Sequence, residues 1–170
     1  MNEKQPAPLA SAAARVQRAL VEAGLDCAIT EHATPARTSA EAAATLSCSI
    51  GQIAKSLVFR AVTTETPDGL VLVIASGANR VDEAKLGALC NATIGKADAT
   101  RVREETGYAI GGIPPLAHAN RLVTFVDRDL LGFDVVFAAG GTPNAMFPIR
   151  PDDLVRVSGG MIADVALLSP

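Results

Sequence analysis

Residues 56–75 read SLVFRAVTTETPDGLVLVIA. Two apolar runs rich in β-branched residues, 56–63 and 70–75, flank Pro67, Asp68 and Gly69. Val, Ile and Phe suit a pleated, half-buried surface, and Pro-Asp-Gly presets a turn. The stretch predicts an antiparallel hairpin. Outward from it the pattern changes to helical spacing. Upstream, Leu9, Ala13, Val16, Leu20 and Val21 predict a helix over 9–23, stopped at Gly24. Residues 27–31 form a short strand candidate. Thr38 to Glu41 has the form of a capping box opening a helix to about Leu46, and a second short helix is expected over 49–54. Downstream, residues 81–89 read as a helix, and Asp98 caps another that ends at Gly107. Strands are expected over 122–127, 135–138 and 145–149, then a short helix opened by Pro151. Strands and helices alternate, but several strand pairs are joined by turns. The expected fold class is therefore α/β (mixed α+β), a single domain over 9–170 with a mixed sheet, behind a loose tail at 1–8.

Composition narrows the function classes. The chain has 170 residues, 49% hydrophobic and 19% charged, with net charge -3. A disordered chain needs low hydrophobicity and high net charge, and a coiled coil needs far more charge. No apolar run approaches the roughly 20 residues of a membrane-spanning helix. Glu3, Arg15 and Arg18 break the pattern of a secretory leader, so a cytoplasmic protein is expected. Cys27, Cys48 and Cys90 form no CxxC pair and read as small hydrophobes. His32 and His118 belong to no metal-binding spacing, so no metal and no cofactor are expected. Mild acidity argues against coating nucleic acid by bulk charge, and leaves room for a local basic groove.

Five segments can carry chemistry. Lys55 lies among apolar neighbours, where an ammonium either snorkels to water or meets an anion. Gly111-Gly112-Ile113-Pro114-Pro115 joins permissive to rigid backbone, a loop able to present amides to a developing oxyanion. Ser76, Asn79 and Arg80 follow an apolar strand, where sites gather. Asp127 ends another strand and could act as a base or pair with Arg128. Gly140, Gly141 and Thr142 could line a pocket or only turn a hairpin.

In order along the chain, these segments, preceded by Thr38-Ser-Ala-Glu41-Ala-Ala and followed by Pro151-Asp-Asp-Leu154, resemble the YbaK family of aminoacyl-tRNA editing domains, related to the insertion domain of bacterial prolyl-tRNA synthetase. The resemblance covers residues 25–165. It implies a compact domain with a mixed, barrel-like sheet and peripheral helices. It also implies a metal-free deacylase that hydrolyses the ester of a wrong amino acid on tRNA, often tRNA(Pro), in the service of translation fidelity. Lys55 is implied to hold the terminal nucleotide or its phosphate. Gly111 and Gly112, with Ile113 and Pro114, are implied to orient the aminoacyl carbonyl. The ribose hydroxyl and a water are implied to share the proton traffic. Ile53, expected on the same helix as Lys55, joins Ser76, Gly140 and Thr142 in shaping the amino-acid pocket. Members acting on alanine esters carry a histidine-rich late turn; residues 140–146 here have no histidine, which leaves cysteine, serine, threonine or a small non-protein amino acid. The partners implied are the 3′ end of a mischarged tRNA and prolyl-tRNA synthetase. The rival reading is a non-catalytic module of the same fold that binds a tRNA end, a nucleotide or a synthetase.

Overall fold

The computed structural model describes residues 9–168; the expected tail at 1–8 lies outside them. The elements are α1 (Ser11–Glu22), β1 (Thr30–Glu31), α2 (Ser39–Leu46), β2 (Ile53–Val62), β3 (Leu70–Ser76), α3 (Glu83–Cys90), β4 (Thr93–Lys96), α4 (Ala99–Thr106), β5 (Val123–Asp127), β6 (Val136–Ala139), β7 (Ala145–Ile149), α5 (Pro151–Ser158) and β8 (Met161–Ala163). Short 3-10 turns at Ile50–Gln52 and Arg128–Gly132 complete the path.

The predicted hairpin is the centre of the sheet. β2 and β3 pair antiparallel, with Lys55 opposite Ala75 and Phe59 opposite Val71. The strand order is β1-β7-β6-β2-β3-β5-β8, and β4 adds to β2. The sheet is mixed, as expected. β6 joins β2, β5 joins β3 and β8 joins β5 in parallel, while the remaining pairs are antiparallel. β3 is buried from Val71 to Ser76. Its alternate side chains serve two cores: Leu72 and Ile74 pack with Val16, Leu20, Phe147 and Leu154, whereas Val71, Val73 and Ala75 pack with Leu86, Phe125 and Val165. A strand covered on both faces reads as an unbroken apolar run, which is what residues 70–75 are.

Local signals set most boundaries. Asp98 accepts from the Arg101 N–H, and Gly107 stops α4 at φ 85°. Pro151 occupies the first turn of α5, as predicted. Thr38 caps α2 through the Glu41 N–H, but the Glu41 carboxylate reaches back to Arg37 N (2.7 Å) rather than to Thr38. The expected helix over 49–54 is corrected. Only Ile50–Gln52 turns, because the Ile53 carbonyl accepts from Gly77 N (2.7 Å) and Ile53 already pairs with Phe137 on β6. Ile53 and Lys55 therefore sit on a strand. The strand candidate at 27–31 shrinks to Thr30–Glu31, and β4 and β8 arise without a sequence signal.

β2 has a gap on its outer edge. β6 pairs with it at Ile53 and Ala54, and β4 pairs from Phe59 to Val62. Lys55 to Val58 have no ladder partner on that side.

Close backbone approach fixes the rim of this gap. A Cβ on Gly77 would lie 2.5 Å from the Ile50 carbonyl oxygen and 2.8 Å from Ser39 Cβ. Gly77→Ala is expected to destabilise the fold by about 1–3 kcal/mol, as overpacking does, read as a lower midpoint in urea unfolding with an unchanged slope.

Candidate functional site

A cavity of about 270 Å3 fills the gap beside β2. β2 contributes Ile53 and Lys55 to its lining, and the glycine–proline loop contributes Ile110, Gly111 and Ile113. The segment entering α2 supplies Arg37, Thr38 and Ser39, and the late turn supplies Pro143 and Met146. No His, Cys, Asp or Glu lines it. A larger open groove of about 810 Å3 lies around residues 62–65 and the end of α3. Val62 is seven residues along β2 from Lys55, roughly 23 Å at strand rise, so that groove is remote from the lysine.

Lys55 is half-buried, and its Nζ donates to the Asn79 carbonyl at 2.6 Å. Burial pushes its ammonium below the ordinary lysine value, and Arg80 adds to that, while Asp127 opposes it. Arg80 and Arg37 make no ion pair among the described residues. Asp127 is fully buried. Its Oδ2 accepts from Ser76 N (3.0 Å) and Asn79 Nδ2 (2.9 Å), and its Oδ1 from Asp129 N (3.0 Å). The Ser76 hydroxyl donates to the Gly51 carbonyl (2.8 Å). Ser76, Asn79 and Asp127 thus stand behind Lys55 rather than in the cavity wall. They hold the carbonyl that aims the ammonium.

The glycine–proline loop is stitched shut at its base by Ala119 N to Thr106 O and Asn120 N to Glu105 O, both 2.9 Å. Residues 109–112 make a β-turn, closed by Gly112 N to Ala109 O (3.1 Å), with Gly111 at φ 95° as a type II turn requires. The N–H groups of Gly111 and Ile113 find no acceptor among the described residues; that of Gly112 is committed to the turn. A Cβ on Gly112 would lie 2.7 Å from Thr142 Cα, so this loop meets the late turn backbone to backbone. His118 Nε2 bonds the Pro114 carbonyl at 2.6 Å, Tyr108 Oη donates to Ala117 O (2.9 Å), and the Arg15 guanidinium covers the Tyr108 ring at 4.9 Å. Burial holds the His118 imidazole below its ordinary value, so it is neutral near pH 7.

Of the residues singled out in the sequence, Lys55, Ile53, Gly111 and Ile113 meet at the cavity. Gly112, Pro114, Gly140, Gly141 and Thr142 do not line it. Gly141 instead presses on α1, where its Cβ would lie 2.8 Å from the Ala12 carbonyl oxygen. Arg80 faces a different groove. The sequence reading missed the entry to α2. There the N–H groups of Ser39 and Ala40 have no acceptor among the described residues, as at any helix start. In the sequence the stretch from Thr38 reads as a capping box and as part of the family resemblance, with none of its residues named for the site. The three thiols are partly buried, and burial raises all three, which disfavours the reactive thiolate.

Two outcomes follow. Asp127→Ala strands three N–H donors and is expected to cost at least about 2 kcal/mol in urea unfolding. Lys55→Met keeps the apolar stem and removes a charge that the folded site disfavours. Since the native value lies below 10.5, the unfolded lysine holds its proton more tightly. Wild type therefore carries a penalty at neutral pH that fades as pH rises through the native value. The variant also leaves the Asn79 carbonyl without its donor, so the reading is the pH dependence: wild type should gain stability relative to the variant as pH rises from 7 toward 10.5, measured as the change in the melting-temperature difference.

Comparison with known proteins gives the family. The family model described as the aminoacyl-tRNA editing domain matches residues 33–157, which include the gap strand, Lys55 and the glycine–proline loop. Uncharacterized protein YwhH of Bacillus subtilis (strain 168) is 32% identical over 130 residues, 76% of this chain and 80% of that one. A solved structure of a candidate trans-editing enzyme for prolyl tRNA synthetase superposes with a TM-score of 0.87 at 40% identity, over 95% of this chain and all of that one. The hypothetical protein APE2540 gives a TM-score of 0.81 at 33% identity, over 90% and 99% of the two chains. With the family model spanning the whole site and well over half of its length, the chain belongs to the aminoacyl-tRNA editing domain family.

Proposed function

We infer that this protein is an aminoacyl-tRNA deacylase, removing a small, uncharged amino acid wrongly esterified to a tRNA, with tRNA(Pro) the first candidate. The observation that carries the reading is the half-buried Lys55 ammonium in the wall of a small cavity that Gly111 and Ile113 also line. Support for the tRNA identity comes from the described role of the structural relative and from the resemblance to prolyl-tRNA synthetase insertion domains. Apolar side chains dominate the pocket floor, among them Ile53, Ala42 and Met146, which suits a side chain without charge.

In the reaction, water adds to the ester carbonyl carbon, and the bond to the ribose oxygen breaks as that oxygen takes a proton. The products are a free amino acid and the tRNA hydroxyl end. Lys55 anchors the terminal nucleotide through its phosphate. The free N–H groups of Gly111 and Ile113 are the donors for the carbonyl oxygen as it gains charge. With no general base among the lining side chains, the neighbouring ribose hydroxyl and the attacking water relay the proton. An aminoacyl ester is already reactive, so positioning and charge stabilisation suffice.

The test is hydrolysis of tRNA(Pro) charged separately with cysteine, serine, threonine, alanine and 2-aminobutyrate. At least one of the four esters other than alanine should turn over, and Lys55→Ala should lose about 100-fold or more, the scale of a substrate held out of position. Full activity in Lys55→Ala would remove the lysine from the mechanism. Tight binding of tRNA with no turnover of any ester would assign the protein to the non-catalytic binding modules.

A further inference from the structure

Lys55 also borders a second, open groove of about 590 Å3. We propose that this groove holds the nucleotide immediately preceding the esterified terminal adenosine, a role that rests on the editing reading above. Lys55, Leu57 and Phe59 alternate along β2, so one face of the strand carries all three. The same ammonium therefore stands between the apolar cavity and the second groove. An ester in the cavity and a phosphate on Lys55 leave the preceding nucleotide only a short step to the groove floor.

The groove is built rather than incidental. Its far wall, Val81 and Leu167, is held in place by a β-bridge between Val81 and Ala166, by Leu167 N to Arg80 O (2.8 Å) and by Asp82 N to Val165 O (2.8 Å). Lys85 Nζ reinforces that wall with bonds to Asp164 (3.0 Å) and the Ala166 carbonyl (2.7 Å). The volume falls in the range of about 300–1,000 Å3 typical of small-molecule sites.

The lining suits a nucleotide better than a bare phosphate or an apolar ligand. Phe59 is partly exposed on the floor and offers a ring face for a base. Arg80 is exposed and makes no ion pair among the described residues, which leaves its fork for a phosphate. Two carboxylates, Asp82 and Glu83, also face the groove. Asp82 Oδ1 is engaged by Ala84 N and Lys85 N as the cap of α3. Glu83 is left as an acceptor for an exocyclic base amine, the pairing that distinguishes cytosine in other complexes. Two cations and two carboxylates give a groove with no net charge, which excludes capture by bulk attraction and favours a ligand carrying both a phosphate and an amine.

The experiment compares two esters of the same amino acid: an RNA hairpin ending in CCA, and the 3′-aminoacyl ester of adenosine 5′-monophosphate, which keeps the phosphate for Lys55 but has no preceding nucleotide. Wild type should prefer the hairpin ester in kcat/KM by about 10-fold or more, the scale of one stacked base. Arg80→Gln, at an exposed position, and Phe59→Leu, which keeps apolar volume without the ring, should each collapse that preference. An undiminished preference in both variants would overturn the groove assignment while leaving deacylation intact. If wild type hydrolyses neither ester, the editing reading fails separately. The groove is then judged by binding of the uncharged hairpin. Weakening by about 10-fold in both variants supports the assignment, and unchanged affinity overturns it.

Discussion

The site depends on one buried carboxylate. Asp127 ends β5, and through Ser76 N, Asn79 Nδ2 and Asp129 N it binds the end of β3, the loop that follows it and its own next turn. A fully buried carboxylate is tolerable only when hydrogen-bonded, and here its donors come from segments that must then stay together. The consequence passes outward. Asn79, fixed by its amide, turns its carbonyl toward Lys55, and Gly77 donates to Ile53 at the start of the lysine's own strand. The sequence offered Asp127 as a base or a partner of Arg128. It serves instead as the fixed point around which the lysine is aimed, and Arg128 approaches Asp164 at 3.6 Å.

The parts of the fold legible in sequence are those set by local chemistry. The 56–75 hairpin carries its turn residues and its strand formers together. α4 has both of its stops, and α5 has its proline. The parts that were not legible are set by tertiary pairing. Residues 49–54 have apolar spacing compatible with a helix, yet the β2 ladder captures Ile53 and everything after it. β4 contains a glycine and a lysine in four residues and exists because β2 outruns β6. β8 has three residues, none strongly signalled, and forms because β5 presents an open parallel edge. At the site, the difference has the same origin. Lys55 and the glycine–proline loop stand out by composition, but the gap in β2 pairing that makes a cavity between them is a property of strand order. So is the arrival of Arg37 and Ser39 at its rim.

The net charge of -3 fits this arrangement once charge is considered by position. A protein that reads a nucleic acid by bulk attraction needs a basic face, because its affinity rests on many phosphates. Recognition of a single esterified end needs few. Arg37, Lys55 and Arg80 stand at the cavity and the adjoining groove, and the first and last make no ion pair among the described residues. Several other cations are engaged in structural work: Lys85 on Asp164 and Ala166, Arg101 on Glu105, Arg156 on Asp153, and Arg15 over Tyr108. On the proposed reading, discrimination rests on the cavity, where a half-buried ammonium and two free amides act at short range. Such interactions are strong only in a low-dielectric site and vanish for a ligand that does not fit it. An editing domain must leave correctly charged tRNA alone, and on the proposed reading a demanding pocket provides that selectivity.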